Sequence, residues 1–253
     1  LIHCDLKPEN ILIRSLSRCE VKLIDFGSSS FVHDPHSSYV QSRSYRAPEV
    51  VVGLPYGPLI DIWSLGCIIA EVFIGSTLFN NRTVQSLLAG HMALCGELPM
   101  RYRTTGRHSR RYFHHGRLYV KQQPESDDDA AAAAAAPSSS SGAADSRRPA
   151  AAASSNDENG GRRSSGDDSS STRPSVGNGG GDAGGGYAYL VPSVISLQQL
   201  LGVSDAEADF VSFMKGLLEV DDEHRLDASM GLAHRWLTSD MSKPPKYDPD
   251  EKG

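Results

Sequence analysis

The sequence predicts a mainly α-helical lobe with one small β-hairpin, broken by a long disordered insertion. Three observations carry that expectation. Residues Asp61 to Gly75 are apolar nearly all round, the pattern of a helix buried on every side. Two short apolar runs, Ile11-Leu12-Ile13 and Val21-Lys22-Leu23-Ile24, flank a polar turn from Arg14 to Glu20, as in a hairpin. Residues 124–186 contain no aromatic side chain and consist of Asp127-Asp128-Asp129, seven alanines from Ala130 to Ala136, and Ser, Gly and acidic clusters. Such a composition cannot bury enough surface to offset the entropy of ordering.

The expected organisation is therefore an ordered part over 1–123, an insertion over 124–186, closing helices over 187–237 and a polar tail over 238–253. Residues 1–10 read as a loop that follows a buried apolar pair, Leu1-Ile2. After the hairpin comes a mostly polar stretch, 25–49, with Ser28, Ser29, Ser30, Ser37, Ser38 and Tyr39. The apolar helix at 61–75 ends at Gly75, a residue suited to a left-handed C-terminal stop. A second helix is expected over 80–95, where Val84, Leu87, Leu88, Met92 and Cys95 form a one-sided stripe. Ser193 to Leu201 reads as a loop. Ser204 or Asp205 caps a helix whose stripe is Phe210, Met214, Leu217 and Leu218, and one last helix is expected from Ala228 to Leu237.

Hydrophobic residues make up 39% of the 253, and the net charge of −6 gives no global electrostatic reason to expect nucleic-acid or membrane partners. No apolar run approaches the ~18 residues of a membrane span. The four cysteines, Cys4, Cys19, Cys67 and Cys95, form no C-x-x-C pair, so reduced thiols in a cytoplasmic or nuclear protein are the simple expectation. A basic stretch, Gly106-Arg107-His108-Ser109-Arg110-Arg111-Tyr112-Phe113, suits acidic partners or a nuclear signal, with a solvated basic face as the simpler reading.

Three motifs stand in order at the front of the chain. They are His3-Cys4-Asp5-Leu6-Lys7-Pro8-Glu9-Asn10, then Asp25-Phe26-Gly27, then Tyr45-Arg46-Ala47-Pro48-Glu49. A lone Asp5 would read as a turn-capping aspartate. The ordered set resembles the catalytic loop, metal-binding triplet and activation-segment end of a protein kinase. The fold this implies is a protein-kinase-like C-lobe. Cys4, Ser28-Ser29 and Tyr39-Val40-Gln41-Ser42-Arg43 narrow the resemblance to the dual-specificity tyrosine-regulated kinases, over residues 1–120 and 187–237. That group sits with the cyclin-dependent, mitogen-activated and CDC-like kinases.

The resemblance implies ATP and Mg²⁺ as cofactors and protein substrates as partners. It implies a role for each matching residue. Asp5 accepts the substrate hydroxyl proton, Lys7 offsets charge on the transferred phosphate, and Ser42 bridges the two. Asn10 and Asp25 supply hard oxygen ligands to Mg²⁺. Tyr39 is an autophosphorylation site, and Arg43 and Arg46 are spaced to receive its phosphate. Asp61 accepts backbone N–H groups of the catalytic loop, and Arg225 pairs with Glu49; plain N-capping is the alternative for Asp61, and a weak surface ion pair for Arg225. The glycine-rich phosphate loop, strand lysine and helix glutamate of such an enzyme are not found, and an N-lobe carrying them is expected upstream of Leu1. The alternative is a kinase-like binding module or an inactive fragment lacking that lobe.

Overall fold

The computed structural model describes residues 1–34, 37, 40–121, 175–177 and 186–239. The insertion expected at 124–186 lies outside the described residues except for 175–177 and 186, and so do Tyr39 and all of the tail beyond residue 239.

The hairpin consists of β1 (Ile11–Ser15) and β2 (Glu20–Leu23), antiparallel with Ile11 opposite Leu23 and a register irregularity between Ile13 and Ser15. Its position fixes the site. Pro8–Asn10 form a 3-10 turn running straight into β1, Ile24 N–H donates to the Asn10 carbonyl at 3.0 Å, and Ile24 leads into Asp25. A second tie, the antiparallel bridge between Ile2 and Ser30, holds the start of the chain beside the residues after Gly27. Leu12, Ile13, Val21 and Leu23 remain exposed, so this hairpin lacks the one-sided burial its apolar content suggests.

Helix α1 (Pro48–Val52) follows, opened by Pro48 and closed by Gly53 at φ 75°. Helix α2 (Leu59–Ile74) is the hub of the core. Ile60, Trp63, Cys67 and Ala70 are fully buried on it, each large apolar side chain of that kind contributing about 1.5–3 kcal/mol by removal from water. The expectation of burial on every side fails at its last turn, where Val72 and Phe73 face solvent. The Phe73 ring is only partly covered there, its centroid 5.1 Å from that of Phe210. Gly75 closes the helix at φ 76°, a conformation a Cβ would strain.

Helix α3 (Val84–Cys95) begins four residues later than the expected 80–95, at the first residue of the apolar stripe. Thr83 stops it there. Its hydroxyl accepts from Ser86 N–H while Ser86 Oγ accepts from Thr83 N–H, a reciprocal cap made by Ser where Glu or Gln is usual. Short helices α4 (Met100–Thr104) and α5 (Ser109–Tyr112) lead to β3 (Phe113–His114) and β4 (Arg117–Lys121). Strands β5 (Ser175–Gly177) and β6 (Tyr187–Val191) complete a four-stranded sheet ordered β3-β4-β6-β5. Residues 175–177 thus depart from the expected disorder, with Ser175 opposite Val191. Strand addition works through backbone hydrogen bonds, which composition does not register.

Two further expectations are corrected. The segment from Ser193 to Leu201 is not all loop: Leu197–Leu201 forms α6, stopped by Gly202 at φ 65°. It is too short for periodicity to show, and the burial of Leu197 and Leu201 anchors it. After α7 (Ala208–Leu217), the single last helix divides into α8 (Ala228–Leu232) and α9 (Arg235–Thr238). His234 breaks it with extended backbone (φ −65°, ψ 142°), and its Nδ1 caps the new start by accepting from Trp236 N–H. That turn lets Trp236 pack 4.9 Å from both Phe210 and Phe213.

Candidate active site

Asp5 sits at the centre of a closed set of hydrogen bonds. Lys7 Nζ donates to Asp5 Oδ2 at 2.7 Å. Ser42 donates twice to Asp5 Oδ1, from its backbone N–H at 2.9 Å and its hydroxyl at 2.8 Å. Lys7 Nζ also donates to Ser42 Oγ at 3.3 Å, closing the triangle. Burial alone would push the Asp5 carboxyl up, but the hydrogen bonds from Lys7 and Ser42 outweigh it and hold the group below the usual carboxylate value. The same bond raises Lys7, so both stay ionised at neutral pH.

Asn10 is buried, and its Nδ2 donates to the Asp5 carbonyl at 2.8 Å, which leaves its amide oxygen as the remaining acceptor. Asp25 is exposed and stands in the left-handed region at φ 62°, ψ 72°, where its Oδ1 accepts from Gly27 N–H at 3.3 Å. The hairpin ladder brings Asn10 and Asp25 to the same end of β1 and β2. One carboxylate and one amide oxygen are hard donors of the type Mg²⁺ takes when it keeps water and phosphate in its remaining positions. Among the described residues no group of three or more His, Cys, Asp or Glu gathers as a metal site, here or elsewhere.

Three residues sequence reasoning passed over, or mentioned only in passing, hold this loop. Cys4, at φ 65°, is fully buried, and its thiol is pushed up by that burial and stays protonated. Its carbonyl accepts from Gln41 N–H at 2.8 Å. Gln41, also at positive φ (65°), is a buried strut: Nε2 donates to the Ile60 carbonyl at 2.9 Å and to Ser64 Oγ at 2.8 Å, and Oε1 accepts from Ala47 N–H at 2.9 Å. His3 ties the loop to the hairpin through Nε2 and the Ile24 carbonyl at 3.1 Å. Backbone strain of this kind at Cys4, Asp25 and Gln41 gathers where function holds a loop in place. No composition or spacing rule marks a non-glycine residue for positive φ, so nothing local could have flagged them.

Asp61, in the first turn of α2, accepts from His3 N–H at 2.6 Å and Cys4 N–H at 3.1 Å. It therefore anchors the loop to the core helix, and burial holds its carboxyl above the usual value. Glu49 and Arg225 meet in a buried, two-pronged ion pair, Nη1 to Oε1 at 2.6 Å and Nη2 to Oε2 at 3.0 Å. Arg46 is engaged with backbone, donating to the Val40 and Gln41 carbonyls, whereas exposed Arg43 donates to the Arg82 carbonyl at 2.6 Å. Tyr39 lies outside the described residues, so no geometry joins it to either arginine.

With that geometry in place, comparison with known proteins is direct. The family model described as "Protein kinase domain" matches residues 1–237. The chain belongs to the protein kinase domain family. It is 48% identical over 113 residues to serine/threonine-protein kinase ppk5 of Schizosaccharomyces pombe, covering 45% of this chain and 14% of that protein. It is 47% identical over 113 residues to dual specificity tyrosine-phosphorylation-regulated kinase 2 of Drosophila melanogaster, 45% of this chain and 16% of the relative. To dual specificity tyrosine-phosphorylation-regulated kinase 4 of Homo sapiens it is 45% identical over 113 residues, 45% and 22%. Within the kinases the chain goes with this dual-specificity group. It spans between 14% and 22% of the length of these three relatives.

Proposed function

We propose that this kinase chain carries the phosphoryl-transfer half of an enzyme that phosphorylates Ser and Thr in protein substrates with Mg-ATP. The observation that carries the reading is the Asp5 carboxylate fixed between Lys7 and Ser42. Phosphoryl transfer needs a positioned acceptor hydroxyl and offset charge more than covalent help. Asp5 orients the substrate hydroxyl and takes its proton. Lys7 lies beside that carboxylate and offsets negative charge developing on the transferred group. Ser42 sets the rotamer of Asp5 from the activation segment, so the base is aimed only when that segment is in place. Asn10 and Asp25 would hold the metal, which when bound neutralises phosphate charge.

Tyr39 is, in this proposal, autophosphorylated, with Arg43 as the exposed cation next to receive it. The catalytic lobe works together with a glycine-rich loop, lysine and glutamate supplied by the complete gene product, in the cytoplasm or nucleus. The experiment is phosphate transfer by the complete protein with Mg-ATP, wild type beside Asp25→Asn, with mass spectrometry of the 31–46 peptide. Activity that depends on Asp25, with phosphate on Tyr39, supports the proposal. A complete protein that transfers no phosphate fits a kinase-like binding module instead.

A further inference from the structure

Residues 101–121 carry six arginines and Lys121 and no Asp or Glu, in a chain whose net charge is −6. The structure divides these cations into two classes. Arg101 bridges Asp221 and Asp222, and Arg103 pairs with Glu97. Arg107, Arg110, Arg111 and Arg117 are exposed, and among the described residues none lies within ion-pair distance of a carboxylate. Elsewhere Arg14, Arg18, Arg225 and Arg235 each have such a partner.

The four uncompensated arginines share a surface. Arg107 and Arg111 flank His108, whose imidazole they help to keep neutral after burial has lowered it. Arg110 and Arg111 are neighbours on α5. The Tyr119 hydroxyl donates to the Arg110 carbonyl at 3.3 Å, and Tyr119 stands two residues from Arg117 on β4, hence on the same face. Arg117 is itself steadied over the Tyr189 ring at 4.2 Å, opposite Tyr119 in the register. At its other end the surface reaches the activation segment, because Arg107 lines a groove of about 330 Å³ with Asp34, Ser37, Gly53 and Tyr56.

We propose that Arg107, Arg110, Arg111 and Arg117 form a docking strip for an acidic stretch in the protein substrate, next to the segment that receives the phosphorylation site. This deepens the kinase reading and rests on it for the word substrate, though not for the binding. Four guanidinium groups with no carboxylate partner among the described residues keep their charge available, and guanidinium forks match carboxylates in two-pronged geometry. Charge of this sort governs encounter and choice of partner more than raw affinity.

The test uses the complete protein and a short fluorescent Glu-rich peptide, read by anisotropy against the same peptide with Gln for Glu. The comparison variants are R107Q/R110Q/R111Q/R117Q and the charge-keeping R107K/R110K/R111K/R117K. Each exposed pair contributes up to a few-fold, so the Gln variant should bind on the order of tenfold more weakly, and the Lys variant should keep most of the affinity. Wild-type binding should weaken as salt rises. Equal binding of the Glu and Gln peptides overturns the proposal, as does unchanged binding by the Gln variant, or tighter binding of oligouridine or phosphatidylserine vesicles than of the peptide. Phosphate transfer to a short peptide without the acidic stretch reports separately on the kinase reading.

Discussion

Arg225 Nη1 lies 2.6 Å from Glu49 Oε1, and the two side chains are 0% and 1% exposed. Burial lowers the arginine's preference for charge, but the neighbouring Glu49 more than restores it, so Arg225 stays charged. Arg225 also donates to the Glu219 and Leu59 carbonyls at 2.8 and 3.0 Å, joining α1, α2 and the turn after α7. Arg225→Met should cost about 3–5 kcal/mol in urea unfolding, since it strands a buried carboxylate. The double variant Glu49→Leu/Arg225→Met should cost clearly less than the sum of the two singles. Additive losses would mean that the two residues act independently.

The Asp5–Ser42 bond gives a graded prediction for the proposed activity. Asp5→Asn removes the proton acceptor and should lower kcat of the complete protein by about 10²–10⁴-fold. Ser42→Ala removes one of two donors from Ser42 and leaves the backbone N–H, so a smaller drop of about ten- to a hundredfold is expected. Equal losses in kcat for the two variants would sink the view that Ser42 works through Asp5. Because Asp5 is held below the usual carboxylate value, its ionisation should not limit the rate between pH 6 and 8.

His91 on α3 is fully buried against Trp63 and Phe79, with ring centroids 4.9 and 4.6 Å away, and neither ring nitrogen has a hydrogen-bond partner among the described residues. Burial, helped by the Arg225 charge, pushes its pKa down to about 3. The unfolded chain therefore binds a proton near pH 6.5 that the folded one refuses. Stability is unaffected by this group above about pH 6.5 and falls as pH drops towards 3, by about 1.4 kcal/mol per unit. His91→Met should flatten that slope and add about 1–3 kcal/mol at neutral pH by removing two unpaired polar atoms. Urea midpoints at pH 7 and pH 5 measure both, and an unchanged slope would assign the acid sensitivity elsewhere.

Gly66 marks the closest approach of α2 to the end of α7. A Cβ there would stand 2.9 Å from Leu218 Cδ2 and 3.1 Å from Leu217 Cβ. Gly66→Ala improves helix propensity by about 1 kcal/mol but overpacks the core by about 1–3 kcal/mol. A net loss in the urea midpoint is expected. A gain would show that Leu217 and Leu218 yield without strain.

The sequence alone determined the elements whose signal is local. Apolar runs around a polar turn fixed the hairpin, the mostly apolar 61–75 stretch fixed the central helix, and Gly75 fixed its end. It also determined the family, because three short motifs in order specify a chemistry that no single one of them does. Only the tertiary structure decided what depends on neighbours distant in sequence. The break at His234 exists because Trp236 packs against α7, and the strand at 175–177 exists because β6 offers an edge to pair with. Gln41 becomes a strut only where Ile60, Ser64 and Ala47 converge on it, and only the coordinates show that Arg101 and Arg103 find carboxylates while, among the described residues, four nearby arginines do not. Periodicity and spacing describe a chain's own neighbours. Pairing beyond a residue's own turn or strand is set by packing, and only coordinates reveal it.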